Sequence, residues 1–321
     1  MRRRIRNLVA ALSALPLALA VAPSAHAADP TTMASGFYVD PDSGAKKWVA
    51  ANSGDGRAPA INASLADTPM AHWFGSWSGT IGTATGAYVG AADYRDKLPI
   101  LVAYNIYHRD YCGGHSGGGA SSPSAYASWI AQFAGGIAGR PAVVVLEPDS
   151  LADYGCMNQA QILERQGMIN GALAEFNRQA PNTWVYLDAG NPGWVSAATM
   201  AQRLHEAGLR QAHGFSLNIS NYYTTAQNTA YGNAVNSELA ARYGYTKPFV
   251  VDTSRNGNGA NGEWCNAAGR RIGTPTQLGG GAEMLLWIKA PGESDGNCGV
   301  GTGSTAGQFL PEVAYKMIYG Y

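Results

Sequence analysis

Seven short apolar runs punctuate the chain, at residues 70–74, 100–106, 142–146, 184–187, 214–217, 248–251 and 283–288. They are continuous rather than alternating and rich in Val, Ile and Leu, the pattern of parallel strands buried on both faces. Between them, apolar positions recur at helical spacing. Ser122-Pro123 reads as an N-cap with proline at the first helical position, followed by Tyr126, Trp129, Ile130, Phe133 and Ile137. Ile162, Ile169, Leu173 and Phe176 mark a second helix, Tyr231, Val235, Leu239 and Tyr243 a third, and Phe309, Val313 and Met317 a closing one. Strand–helix alternation with right-handed crossovers predicts an α/β fold on a parallel sheet, either a barrel or a doubly wound sheet.

The polar residues fall just past these runs. Asp110 follows the second, Asp149 the third, Asp188 the fourth, Asn218 the fifth, Asp252 the sixth and Asp295 the seventh, while Trp73 lies at the end of the first. In a closed parallel barrel all of these positions meet on the C-terminal rim, where active sites sit. Gly- and Asn-dense stretches at 112–119, 254–262 and 292–303 each come after a strand and read as long loops on that rim. The most informative stretch is Val143-Val144-Val145-Leu146-Glu147-Pro148-Asp149. Proline ends the pairing and leaves Asp149 over a hydrophobic floor. Desolvation there raises a carboxyl pKa, as a general acid at neutral pH requires.

The first residues resemble an export signal: Arg2, Arg3, Arg4 and Arg6, an apolar stretch over 8–21, and Ala25-His26-Ala27 as a cleavage site. The expected mature chain, 28–321, is a single catalytic domain with no appended carbohydrate-binding module, since no repeat, charge run or Pro/Thr-rich linker is present. Without the four signal arginines, 18 basic residues face 22 acidic ones, a formal charge of −4. That balance argues against a nucleic-acid partner, and the apolar signal stretch is too short for a membrane span. Four cysteines in an exported chain are expected to be oxidised. Of the three possible connectivities, Cys112–Cys156 with Cys265–Cys298 is favoured, because each pair braces loops after neighbouring strands.

A ring of acids without a His or Cys cluster suits either a hard divalent metal or acid/base work on a neutral substrate. A metal site of this kind would come with a phosphate cradle or basic clamp, and no GxxxxGK[ST] loop or strand-to-helix GxGxxG is present. A nucleophilic triad lacks its Gly-x-Ser-x-Gly elbow. No metal or cofactor is therefore expected. Sugar chemistry fits what remains. Glycoside hydrolysis uses two carboxyls, and 8 Trp and 17 Tyr offer faces for sugar rings. Trp73, Trp194 and Trp287 fall at or beyond strand ends, and Tyr104, Ser116 and Asn218 are further candidate substrate contacts.

Five ordered blocks resemble glycoside hydrolase family 6, the inverting cellulases. They are Val145-Leu146-Glu147-Pro148-Asp149-Ser150-Leu151; Arg109-Asp110 with Cys112 and Gly117-Gly118-Gly119; Tyr186-Leu187-Asp188-Ala189-Gly190; Asp252-Thr253-Ser254-Arg255-Asn256-Gly257; and Trp287-Ile288-Lys289 with Pro291-Gly292-Glu293-Ser294-Asp295-Gly296. The resemblance implies a distorted seven-stranded parallel TIM-like barrel and hydrolysis of β-1,4-glucosidic bonds with inversion. It implies Asp149 as general acid, Asp110 as its acidic partner in the water-activating network, Asp188 as a supporting acid, and either Asp295 or a water relay through Asp110 and Ser116 as base. Lys289 and Glu293 would hydrogen-bond the sugar beside the cleaved bond, and Trp73, Trp194 and Trp287 would be stacking platforms. The same two disulfides are implied. The sequence departs from the family pattern where Tyr111 interrupts Arg-Asp-Cys, where an upstream proline is missing near Tyr107, and where Asn191 occupies a position that is often His. The expected activity is a secreted, monomeric endo-β-1,4-glucanase acting on β-1,4-glucan. A cellobiohydrolase and an inactive glucan-binding protein are the alternatives.

Overall fold

The computed structural model describes residues 28–113 and 116–321; the expected export signal, residues 1–27, lies outside them. Six parallel strands follow in sheet order as in sequence: β1 (His72–Phe74), β2 (Ile100–Ala103), β3 (Ala142–Leu146), β4 (Thr183–Asp188), β5 (Gly214–Leu217) and β6 (Phe249–Asp252). The last parallel strand is β8 (Met284–Leu286), and β7 (Gln277–Leu278) pairs antiparallel on its outer side. The sheet thus has eight strands rather than the seven expected. The extra one escapes a search for apolar runs because both of its residues are exposed.

The sheet curls into an incomplete barrel. Its two ends meet without a ladder: the Ala71 N–H ahead of β1 donates to the Trp287 carbonyl just past β8, at 2.8 Å. Alternate residues of each strand serve two cores. Val102, Val143, Val145, Tyr186, Val250 and Leu286 fill the interior. Leu101, Val144, Leu146, Leu187 and Val251 face the surrounding helices. Strands apolar on both faces are what continuous Val/Ile/Leu runs encode.

Eight α-helices surround this sheet among the described residues: α1 (Gly44–Ala51), α2 (Ala58–Ile61), α3 (Ile81–Asp93), α4 (Pro123–Ile137), α5 (Gln159–Gln179), α6 (Ala197–Glu206), α7 (Thr225–Tyr243) and α8 (Pro311–Tyr319). Helix α4 begins as its sequence suggests, with Ser122 Oγ accepting the Ala125 N–H at 3.1 Å and Pro123 at the first position. Helix α3 was not marked by periodicity, because its contact face is built from small residues. A Cβ on Gly136 of α4 would lie 2.0 Å from Thr85 Oγ1 and 2.7 Å from the Gly82 carbonyl. Two helices this close exclude the large side chains that make an amphipathic stripe visible.

Candidate active site

The turn after β3 is wound tightly. Glu147 and Asp149 both take left-handed backbone conformations (φ +50° and +70°) on either side of Pro148. Such conformations are costly for residues with a Cβ and cluster at functional sites. The Asp149 N–H donates to Asp188 Oδ2 at 2.8 Å, so the end of β4 anchors the turn. Burial raises the Asp149 pKa well above the carboxylate range; the negative charges of Asp188, Asp110 and Asp153 push it further, and Arg109 opposes them. Burial also raises Asp188, to about 7, against N–H donors from Asp149, Gly190 and Ala189. Neighbouring carboxyls do not ionise together readily, and the hydrogen bonds assign the charge. Asp188 is solvated by backbone donors, whereas the Asp149 carboxyl accepts no hydrogen bond among the described residues. Asp149 therefore keeps the proton.

Asp110 stands on the loop after β2, its Oδ2 accepting the Ser116 N–H at 2.5 Å. The loop folds back on itself: Arg109 is nine-tenths buried and donates to the carbonyls of Tyr104 (2.7 Å) and Ser116 (2.8 Å). Gly119 (φ +90°) is required here, because a Cβ would meet the Ile106 carbonyl at 1.9 Å. Tyr111, the residue interrupting Arg-Asp-Cys, points outward, and its hydroxyl accepts from Gln161 at the start of α5. The insertion is thus absorbed on the outside of the turn. Cys112 pairs with Cys156 and Cys265 with Cys298, the connectivity favoured from sequence.

Asp295 is held differently. Arg255 Nη1 contacts both of its oxygens (3.0 and 2.8 Å), Lys289 Nζ lies at 3.4 Å, and the Asn266 N–H donates at 2.9 Å. Burial would raise its pKa, but Arg255, Lys289 and the Asn266 amide outweigh burial and hold it below the usual value. Asp149, Asp110, Asp295, Lys289 and Glu293 all line one cleft of about 1260 Å³ at the C-terminal end of the parallel strands. Asp188 lies beneath it, out of solvent.

The family pattern described as glycosyl hydrolases family 6 matches residues 32–319. This chain belongs to that family. Endoglucanase 1 of Streptomyces halstedii is 82% identical over the full length of both chains. Endoglucanase A of Thermobispora bispora is 42% identical over 96% of this chain and 66% of its own. The solved structure of the endoglucanase Cel6 from Mycobacterium tuberculosis, in complex with methyl-cellobiosyl-4-deoxy-4-thio-β-D-cellobioside, superposes with a TM-score of 0.82 at 37% identity. That likeness covers 91% of this chain and 99% of the other.

Not every aromatic or polar candidate of this family 6 hydrolase reaches the cleft. Trp73, Tyr104, Ser116 and Trp194 line it. The Trp73 indole is fixed by donation to the Ile288 carbonyl (2.8 Å) and by an edge contact with Tyr104 at 5.2 Å. Trp194 is 45% exposed. Its ring lies over Gly190 (φ +65°), where any Cβ would meet it at 2.9 Å. Trp287, expected as a platform, is instead wholly buried with Ile61, Leu65 and Met70, and its indole N–H donates to the Thr274 carbonyl at 2.9 Å. Its position just past β8 turns it outward under α1 and α2. Asn218 is also out of reach of a ligand. Fully buried, it donates to the Asp252 carbonyl (2.8 Å) and accepts from the Tyr223 N–H (3.1 Å). Asp252 is likewise structural, taking the N–H groups of Ser220, Ser254, Ile288 and Lys289. Asn191 is buried, its Oδ1 accepting from the Gly193 N–H at 2.9 Å.

Two cleft tryptophans were missed in the sequence, Trp77 and Trp264, 57% and 41% exposed. Both stand in Gly-, Ser- or Asn-rich loops beyond a strand, the same signal that picked out Trp194. Arg255 was noted only within a motif, and its pairing with Asp295 is long-range and invisible in sequence. Trp194→Ala is expected to raise KM for soluble cello-oligosaccharides about tenfold, from the loss of about 1.5 kcal/mol of aromatic burial, with thermal stability unchanged. Steady-state kinetics and a melting curve check both halves.

Proposed function

We propose that this family 6 hydrolase is an exported endo-β-1,4-glucanase that cleaves internal bonds of cellulose and soluble β-glucans with inversion. The observation that carries the reading is the buried Asp149 carboxyl, its pKa raised by burial and by the acids around it, at the wall of an aromatic-lined cleft. In the proposed step, Asp149 gives its proton to the glycosidic oxygen as the bond to the anomeric carbon breaks. A water attacks that carbon from the opposite face, and its proton leaves through Asp110 and Ser116. Asp188 takes no proton but keeps Asp149 protonated beforehand and holds its turn. The Asp110 route is favoured over Asp295, because a carboxylate clasped by Arg255 and Lys289 is a weak base. Trp73 and Trp194 stack on sugar rings, and Lys289 and Glu293 bond the hydroxyls beside the scissile bond. Names of relatives support the activity: the Streptomyces and Thermobispora proteins are called endoglucanases. Export is supported by the basic-apolar N-terminus and two disulfides, and no described helix is long and apolar enough to cross a membrane.

Attack inside a chain follows from the exposure of Trp77, Trp194 and Trp264 along the cleft, which leaves room for a polymer to lie across it. On carboxymethylcellulose, viscosity is expected to collapse while few reducing ends have appeared. Reducing ends released in proportion to the loss of viscosity would instead identify a cellobiohydrolase. Binding without release of any sugar would identify an inactive glucan-binding protein.

A further inference from the structure

We propose that Glu147 and Arg165 are positioning residues that lock the loop bearing Asp110 against the turn bearing Asp149, fixing the distance between proton donor and water-activating side. The inference rests on the roles given to those two acids above. Glu147 directly follows β3 with no solvent exposure, and Arg165 of α5 is 2% exposed. Neither makes an ion pair among the described residues. Both side chains bond backbone of the same two segments, and the Tyr126 hydroxyl also faces the Glu147 carboxyl. The Glu147 carboxylate accepts the N–H of Asn105 (3.0 and 2.9 Å) and of Ile106 (2.9 Å), where β2 passes into the Asp110 loop. Arg165 donates from Nη2 to the His108 carbonyl (2.6 Å) and from Nη1 to the Ser150 carbonyl (3.2 Å). One acidic side chain thus reaches from the acid's turn into the Asp110 loop, and the guanidinium bridges both from behind.

Buried ionisable groups without a salt bridge are costly, burial raising the Glu147 pKa to about 7 and lowering that of Arg165, and apolar residues of similar volume would usually give a more stable protein. What these two hold in place is strained: His108 and Asp110 (φ +53° each) and Glu147 and Asp149 (φ +50° and +70°) are all left-handed. The bonds fall beside these residues. Released, the two segments would relax toward ordinary backbone conformations and the acids would shift relative to each other. Reactivity falls steeply with such displacement, while sugar binding, made largely by other residues, does not.

The test is a double-mutant cycle in kcat on a soluble cello-oligosaccharide. Glu147→Gln turns one of the two accepting oxygens into a donor facing N–H groups. It is expected to lower kcat about tenfold with KM within about twofold. In an Asp110→Asn background the same change is expected to alter kcat by less than about twofold, because the group it positions is already gone. An equal loss in both backgrounds, a change confined to KM, or no loss at all overturns the proposal. Should Glu147→Gln fail to fold, Arg165→Lys, which keeps the charge but cannot span two carbonyls, is run through the same cycle with the same expectations. Wild-type enzyme that hydrolyses glucan while the cycle is additive removes only the positioning role. Wild-type enzyme that hydrolyses none removes the functional reading beneath it.

Discussion

Asp149→Asn is expected to lower kcat on soluble β-1,4-glucan by about 10²–10⁴-fold, the usual worth of a positioned general acid, with KM little changed. The amide keeps the size of the carboxyl and the backbone bond to Asp188, so the turn after β3 survives. Only the proton is lost. The defect should shrink on aryl cellotriosides, whose phenolate leaves without protonation. The same substitution should stabilise the protein. A group whose folded pKa is raised contributes stability that is complete below its unfolded pKa, near 4, and is lost as pH rises through the folded value. Asp149, pushed up by burial and then by Asp188, therefore costs stability near and above neutrality. Asp149→Asn should raise the melting temperature at pH 8 and leave it unchanged at pH 3. A lower melting temperature at both would mean that Asp149 is an ordinary structural carboxylate.

The second large effect is on stability. Asp295→Ala is expected to cost about 3–5 kcal/mol, the usual penalty for stranding a buried charge. Arg255 is 3% exposed and would keep its charge with Asp295 gone. In an Arg255→Met background the same change should cost less, since the buried guanidinium is gone and only Lys289, 3.4 Å away and 12% exposed, loses a partner. The pH dependence has the opposite sign to that of Asp149. The lowered pKa of Asp295 adds stability above its unfolded value, and this is lost as pH falls through the folded one. Chemical denaturation of the four variants at neutral and acid pH measures both. The catalytic corollary is that azide should not restore turnover to Asp295→Ala. Rescue, with formation of a glycosyl azide, would make Asp295 the base.

Much of this arrangement was legible in the chain. Most of the parallel strands, β2, β3, β6 and β8 above all, are short apolar runs, and a residue at a strand's C-terminal end in a parallel sheet has little choice of location. That is why Asp149, Asp110 and Asp295 could be placed on one cleft, and why Trp73 and Lys289 fall beside them. What sequence position does not give is which way a side chain turns. Trp73 and Trp287 are both at strand ends, yet one lines the cleft and the other packs beneath α1 and α2. Asn218 stands just past β5 much as Asp188 closes β4, but its amide is consumed by neighbouring backbone. Long-range pairing was equally hidden. Nothing local marks Arg255 as the partner of Asp295, or Arg165 as a bridge to carbonyls 15 and 57 residues away. Helix α3 was missed for the opposite reason: its packing is so close that it uses Gly, Ala and Thr where an apolar stripe would be sought.

The central claim is a single displacement in which Asp149 protonates the leaving oxygen while water attacks from the far side. Proton NMR of a cellopentaose digest, recorded within the first minutes before mutarotation, tests it most directly. The account predicts that the new reducing end appears as the α anomer and converts to the equilibrium mixture afterwards. A β anomer appearing first would require a covalent intermediate and would contradict it.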